Sequence, residues 1–213
     1  MEYLEQYNQI KKHVRDINLD IIQDRYRITL HPEDRYNKRI RFRMPNRKII
    51  RYLTEIGAVL TGSRALRCYR FDGIRILNRK MSDWDFLITP EMAMKISSKF
   101  GIKWNLVDPI ISVEGCRYTV HPAYSSSYRS GVVDVHMIVR EDFPTVMEKD
   151  GIRFSDPAYI INEKMKLVDN SPHFMNKLDW RDIDKETKDQ FLKQISDLTQ
   201  MVINFRGSEH KNS

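Results

Sequence analysis

The sequence predicts an α+β fold: a mixed β-sheet core flanked by helices, with a C-terminal helical addition. Three observations carry this. Two apolar runs, Ala58-Val59-Leu60 and Gly131 to Val139, read as core strands. Helix starts at Thr89-Pro90-Glu91 and Ser155-Asp156-Pro157 alternate with them, each placing proline in the first turn after a capping residue. Beyond Asp184, a capping residue, Phe191, Leu192, Ile195, Leu198, Met201, Val202 and Phe205 fall on one face of a long helix. The chain divides into an N-terminal helix and basic arm (1–46), a core (47–150) and a C-terminal helical region (151–213).

Composition narrows the class. The 213 residues are 41% hydrophobic and 31% charged, enough for a packed core under a soluble surface. No apolar run approaches a membrane span, and Met1-Glu2-Tyr3-Leu4-Glu5 lacks a signal-peptide layout. Two cysteines, Cys68 and Cys116, make neither a disulfide framework nor zinc spacing. The expectation is a cytoplasmic protein without membrane contact. Glycine loops of the P-loop type, dinucleotide fingerprints and serine elbows are absent from the sequence.

The net charge of +7 is concentrated. Residues 35–80 hold 14 Lys/Arg against Glu55 and Asp72, a local +12, which leaves −5 for the rest. Such density suits a polyanion or a triphosphate. Within 35–51, eight basic residues stand with no acid, and Arg39-Ile40-Arg41-Phe42-Arg43-Met44 alternates strictly. An extended segment there places arginines on one side, so Arg39, Arg41, Arg43, Arg47 and Lys48 are candidate nucleic-acid contacts. A charged, aggregation-resistant edge strand is the plainer account of the same alternation.

In chain order, Leu4, Tyr7, Val14 and Ile17 predict a helix over residues 2–17. Ile21-Ile22 and Tyr26 to Leu30 read as strand-like. Pro45-Asn46 opens a helix with Ile49, Ile50, Leu53 and Ile56 on one face, and Gly57 ends it. Met92, Ile96 and Phe100 face the core on the helix begun at Pro90. Lys103 to Val107 and Cys116 to Val120 read as short strands, Tyr124 to Tyr128 as a loop, and Gly207 to Ser213 as a polar tail.

Chemistry concentrates in Thr61-Gly62-Ser63-Arg64-Ala65-Leu66 and Ser82-Asp83-Trp84-Asp85-Phe86-Leu87-Ile88-Thr89. A strand–turn–helix around Gly62-Ser63 presents backbone N–H groups that suit phosphate. Asp83 and Asp85, two apart on a strand, share a face, and a divalent cation relieves their repulsion. Asp134 sits mid-way in a valine-rich strand, where a carboxylate is costly unless paired or bound to metal, and His136 shares its face.

Gly62-Ser63 followed by Asp83-Trp84-Asp85 resembles the DNA polymerase β-like nucleotidyltransferase superfamily. The likeness spans roughly residues 47–140. It departs in spacing: nineteen residues separate Ser63 from Asp83, with Tyr69 to Leu77 reading as an inserted turn or hairpin. The resemblance implies a nucleotidyltransferase core and Mg²⁺-dependent transfer of NMP from an NTP, ATP among them, to a hydroxyl acceptor, with release of pyrophosphate. It implies two Mg²⁺ ions on Asp83, Asp85 and Asp134. It also implies nucleotide contacts from Gly62, Ser63 and Arg64, and from Lys164 or Lys177 of the helical addition. RNA, such as tRNA, is the acceptor the basic region favours, and the C-terminal helix offers an oligomer contact. The alternative is a non-catalytic nucleic-acid-binding or assembly protein that keeps this fold.

Overall fold

The strand Val59–Thr61 is buried at every residue and flanked on both sides, and a sheet grows around it. The computed structural model describes residues 2–32, 48–78, 84–100, 105–106, 118–120, 135–170 and 183–209. In chain order these form α1 (Glu2–Gln23), a 3-10 turn (Arg25–Arg27), β1 (Ile28–Leu30), α2 (Lys48–Glu55), β2 (Val59–Thr61) and α3 (Gly62–Leu66). Then follow β3 (Tyr69–Phe71), β4 (Ile74–Arg75), β5 (Trp84–Ile88), α4 (Pro90–Phe100), β6 (Asn105–Leu106), β7 (Tyr118–Val120) and β8 (Val135–Val139). The chain closes with β9 (Val146–Lys149), β10 (Ile152–Ser155), α5 (Pro157–Asp169) and α6 (Lys185–Glu209). No helix among the described residues is long and apolar enough to cross a membrane.

The α+β class holds, with mixed sheets, and the contacts sort the chain into two units. One unit spans residues 30–68 and 79–156. Its seven strands run in the order β6-β7-β8-β5-β2-β10-β9. Here β5 is antiparallel to β2 and parallel to β8, and β2 is parallel to β10. Central strands bury both faces, which is why Val59-Leu60 and Phe86-Leu87-Ile88 are continuous apolar runs. Helix α2 buries Ile49, Ile50 and Leu53, each contributing about 1.5–3 kcal/mol. Gly57 ends the helical segment at φ +82, a left-handed position natural to glycine. Helix α4 is capped as its sequence predicts: the Met92 amide donates to Thr89 Oγ1 at 3.2 Å.

The other unit gathers residues 1–29, 69–78 and 157–213, so the N-terminal helix, the insert and the C-terminal helices belong together. The insert is a hairpin, β3 and β4, and it joins β1 in a three-stranded sheet. Two readings need correction. Ile21-Ile22 are helical, not strand-like: Tyr7, Val14, Ile17 and Ile21 continue one buried stripe along α1. Gly207 does not begin a tail, because α6 runs on to Glu209; one glycine weakens a helix by about 1 kcal/mol without ending it. The N-cap of α6 is as expected, with the Thr187 amide donating to Asp184 Oδ1 at 2.9 Å.

Within this unit, α1 is tied to α5 by polar bonds as well as packing. Tyr7 Oη donates to Asp169 Oδ1 at 3.1 Å, Lys11 Nζ reaches the same oxygen at 2.5 Å, and Asn18 bonds Asn162 at 2.8 Å. Tyr7 has no exposed surface. Burial first, then the charge of Asp169 and its acceptance of the phenol hydrogen bond, push the Tyr7 hydroxyl well above its ordinary 10.0.

Candidate active site

The register of the large sheet assembles the site. Thr61, the last residue of β2, pairs with Asp85, and Asp85 pairs on its other side with His136. Side chains at paired positions share a face, so Asp85 and His136 stand together on two parallel strands. Trp84 and Phe86 point to the opposite face, where their rings stack with centroids 6.2 Å apart and planes 6° apart.

Gly62 follows Thr61 directly and turns the chain with φ +66. Its α-carbon lies under the Asp85 carboxylate: a Cβ built there would overlap Asp85 Oδ2 and come within 2.9 Å of its Cγ. Only glycine satisfies both the conformation and the approach. The Gly-Ser bend and the aspartate thus occupy one spot, brought there from residues far apart in sequence.

The following helix, α3, has five residues, so its dipole is small and any phosphate contact rests on the N–H groups of the bend. Ser63 is 9% exposed and Arg64 7%, while Gly62 is half-buried. The Arg64 guanidinium lies 4.2 Å from the centroid of the Trp84 ring, a cation–π contact on the face away from Asp85. Arg64 therefore braces the Trp84 ring. Ser63, Arg64, Trp84, Asp85 and His136 each make further polar or ring interactions.

Asp83, Asp134, Lys177, Arg39, Arg41, Arg43 and Arg47 lie outside the described residues. Asp83 and Asp134 are the chain neighbours of Trp84 and Val135, which pair directly across β5 and β8. Lys48 is the first residue of α2. Among the described residues no group of three His, Cys, Asp or Glu could hold a metal ion. The donor set named from sequence, three carboxylates without a thiolate, has the chemistry Mg²⁺ prefers, and the glycine beneath Asp85 leaves its carboxylate room that a Cβ would fill.

Lys164 belongs to the other unit and has a different employment. It is 5% exposed on α5, with Nζ 2.6 Å from Asp197 Oδ2 and 2.9 Å from Gln194 Oε1 on α6. Asp197 is fully buried. Lys164 thus ties α5 to α6, and a contact with a triphosphate would require it to abandon this buried ion pair. Asp197, Trp84 and the Thr61–Asp85 register were the features missed. Only Trp84, adjacent to the carboxylate pair, had a local signal.

No family model, curated protein or solved structure matches the chain. The class that the fold defines is a mixed α+β protein, with two sheets among the described residues.

Proposed function

We propose that the chain is a Mg²⁺-dependent nucleotidyltransferase that moves a nucleoside monophosphate from an NTP to an acceptor hydroxyl. One observation carries the reading: the Gly62-Ser63 bend meets the Asp85 carboxylate at the end of paired strands, with His136 in register beside it. Phosphate cradle and acidic strand are the two parts such transfer needs at one place. Asp83, Asp85 and Asp134 would hold Mg²⁺, which when bound supplies charge stabilisation for the phosphoryl oxygens. The amides around Gly62, with the Ser63 hydroxyl, would hold the leaving phosphates, and Arg64 would keep Trp84 in place. In the reaction the acceptor hydroxyl gives up its proton to solvent, its oxygen bonds to the α-phosphorus, the bond from that phosphorus to the bridging oxygen breaks, and pyrophosphate departs. RNA is the favoured acceptor because of the +12 charge on residues 35–80.

The test is label transfer from each NTP to RNA, DNA, protein and small-molecule acceptors with Mg²⁺. Wild-type protein labels one of them, and Asp85→Asn loses the activity by roughly 10²-fold or more. Absence of transfer to every acceptor overturns the reading.

A second reading draws on the burial of Ser63 and Arg64 and the shortness of α3. In it the fold serves as a nucleic-acid-binding or assembly module without catalysis. Calorimetry separates the two. An enzyme binds nucleotide in a metal-dependent way. A module shows only nucleic-acid binding that weakens with salt.

A further inference from the structure

We propose that His136 is a ligand of the cation held at Asp85, and that its imidazole makes the site prefer a divalent transition ion, Mn²⁺ or Co²⁺, to Mg²⁺. The inference rests on the cation placement of the proposed function but not on catalysis, and it needs no nucleotide.

The sheet register supplies the geometry. On one face of the sheet Val59 of β2 opposes Leu87 of β5, which opposes Ile138 of β8. Two residues nearer the strand ends, the same face carries Thr61, Asp85 and His136, paired in the same order. An apolar row thus gives way to a row that can bind through oxygen and nitrogen. The chain neighbours Trp84, Phe86, Val135 and Met137 are buried, whereas Asp85 and His136 are half-buried. Neighbouring strands lie about 4.8 Å apart, so a carboxylate and an imidazole rising from paired positions can meet one ion.

Asp85 and His136 each make a further interaction. Ligation is compatible with this. A metal-bound imidazole uses one ring nitrogen while the other N–H donates to a second group, and a carboxylate has two oxygens. Carboxylates alone suit Mg²⁺, which takes oxygen ligands. An imidazole nitrogen suits transition ions instead, and affinity for a mixed nitrogen–oxygen site rises from Mn²⁺ to Co²⁺. Among the described residues no third His, Cys, Asp or Glu joins the pair. Water, with the Asp83 and Asp134 carboxylates assigned to the ion by the proposed function, would complete the shell. Positions left to water distinguish a catalytic ion from a closed structural one.

The experiment is titration calorimetry of the full chain with the chlorides of Mn²⁺, Co²⁺ and Mg²⁺, each alone, together with spin-echo EPR of the Mn²⁺ complex. Wild type is expected to bind Mn²⁺ about tenfold more tightly than Mg²⁺, with Co²⁺ tighter still, and bound Mn²⁺ should show modulation from a nitrogen nucleus. His136→Asn and His136→Gln should lose the nitrogen signal and weaken Mn²⁺ and Co²⁺ binding roughly tenfold or more, with Mg²⁺ affinity kept within about twofold. Asp85→Asn should weaken all three. His13→Asn changes a histidine on α1, in the other unit, and should move neither readout, which separates the site from chance binding to another imidazole. The proposal is overturned if wild type binds none of the three ions, if it binds Mg²⁺ as tightly as Mn²⁺, or if bound Mn²⁺ shows no nitrogen. Wild-type Mn²⁺ and Co²⁺ affinity in both His136 variants also overturns it. The wild-type measurements decide even where a variant fails to fold. Metal binding of the expected kind without label transfer supports the inference and removes the nucleotidyltransferase reading. Label transfer by a protein whose bound Mn²⁺ shows no nitrogen does the reverse.

Discussion

Two hairpins in this chain are built on the same turn and differ in what they set across it. Asp72-Gly73 and Asp150-Gly151 both adopt left-handed conformations at both residues, with φ of 50 and 76 in the first and 56 and 73 in the second. This is the two-residue turn whose twist matches antiparallel strands. In β9 and β10 the ladder pairs Glu148 with Arg153, opposite charges. Arg153 also donates to Gly57 O at 2.9 Å and lies 5.4 Å from the Phe143 ring centroid. In β3 and β4 the ladder pairs Arg70 with Arg75. With turn chemistry held equal, one ladder sets opposite charges across from each other and the other sets like charges. The contrast teaches that a local rule is most informative where it is broken beside a matched case that keeps it.

The largest expected effect tests the matching itself. At Gly73 and Gly151 an added Cβ meets nothing within 4 Å, whereas at Gly62 it meets the Asp85 carboxylate. Gly62→Ala combines left-handed strain with overlap and should cost about 2–5 kcal/mol in denaturant melts. In an Asp85→Ala background the same change should cost only the conformational part, about 1–2 kcal/mol. Equal costs in the two backgrounds would show that the bend and the carboxylate are not in contact.

These features differ in how far the sequence announces them. The caps at Thr89 and Asp184, the Val59 strand and the insert hairpin are local, and each was legible because a few adjacent residues determine it. The hairpin of β9 and β10 also had its Asp-Gly signal, but Val146-Met147-Glu148-Lys149 shows no alternation to draw attention to it. The partner of Lys164 was not legible: Asp197 lies 33 residues on, and only the packing of α5 against α6 brings it there. The same holds for the site. Asp85 reads as a strand carboxylate in sequence, but its place over Gly62 depends on an antiparallel register between strands that a hairpin of the other unit interrupts.

The buried Tyr7 side chain should outweigh anything on the hairpins. Tyr7→Phe removes a bond to the Asp169 carboxylate and should cost about 1.5–3 kcal/mol at neutral pH. Because the folded-state pKa of Tyr7 is raised, its contribution is complete below the ordinary value of 10.0. Above that value the unfolded chain ionises first, and stability falls by up to about 1.4 kcal/mol per pH unit. Melts of Tyr7→Phe should lack this alkaline component, and an unchanged slope would detach it from Tyr7. Next in size, Gly73→Ala and Gly151→Ala should each cost about 1–2 kcal/mol, and by the same amount, since the strain is shared and the space is open at both. Unequal costs would mean the two turns are not equivalent and would weaken the comparison of their charges.

The smallest effects bear most directly on the contrast. Arg75→Glu gives the insert the charge pairing its counterpart already has and should raise stability by about 0.2–1 kcal/mol. Glu148→Arg gives the other hairpin a like pair opposite Arg153 and should lower it by a similar amount. Both partners are partly open to solvent, so added salt should shrink the two changes together. A gain for Arg75→Glu would place the cost of the native pair in the ladder itself, and absence of a gain would mean that the other contacts of Arg75 offset the repulsion.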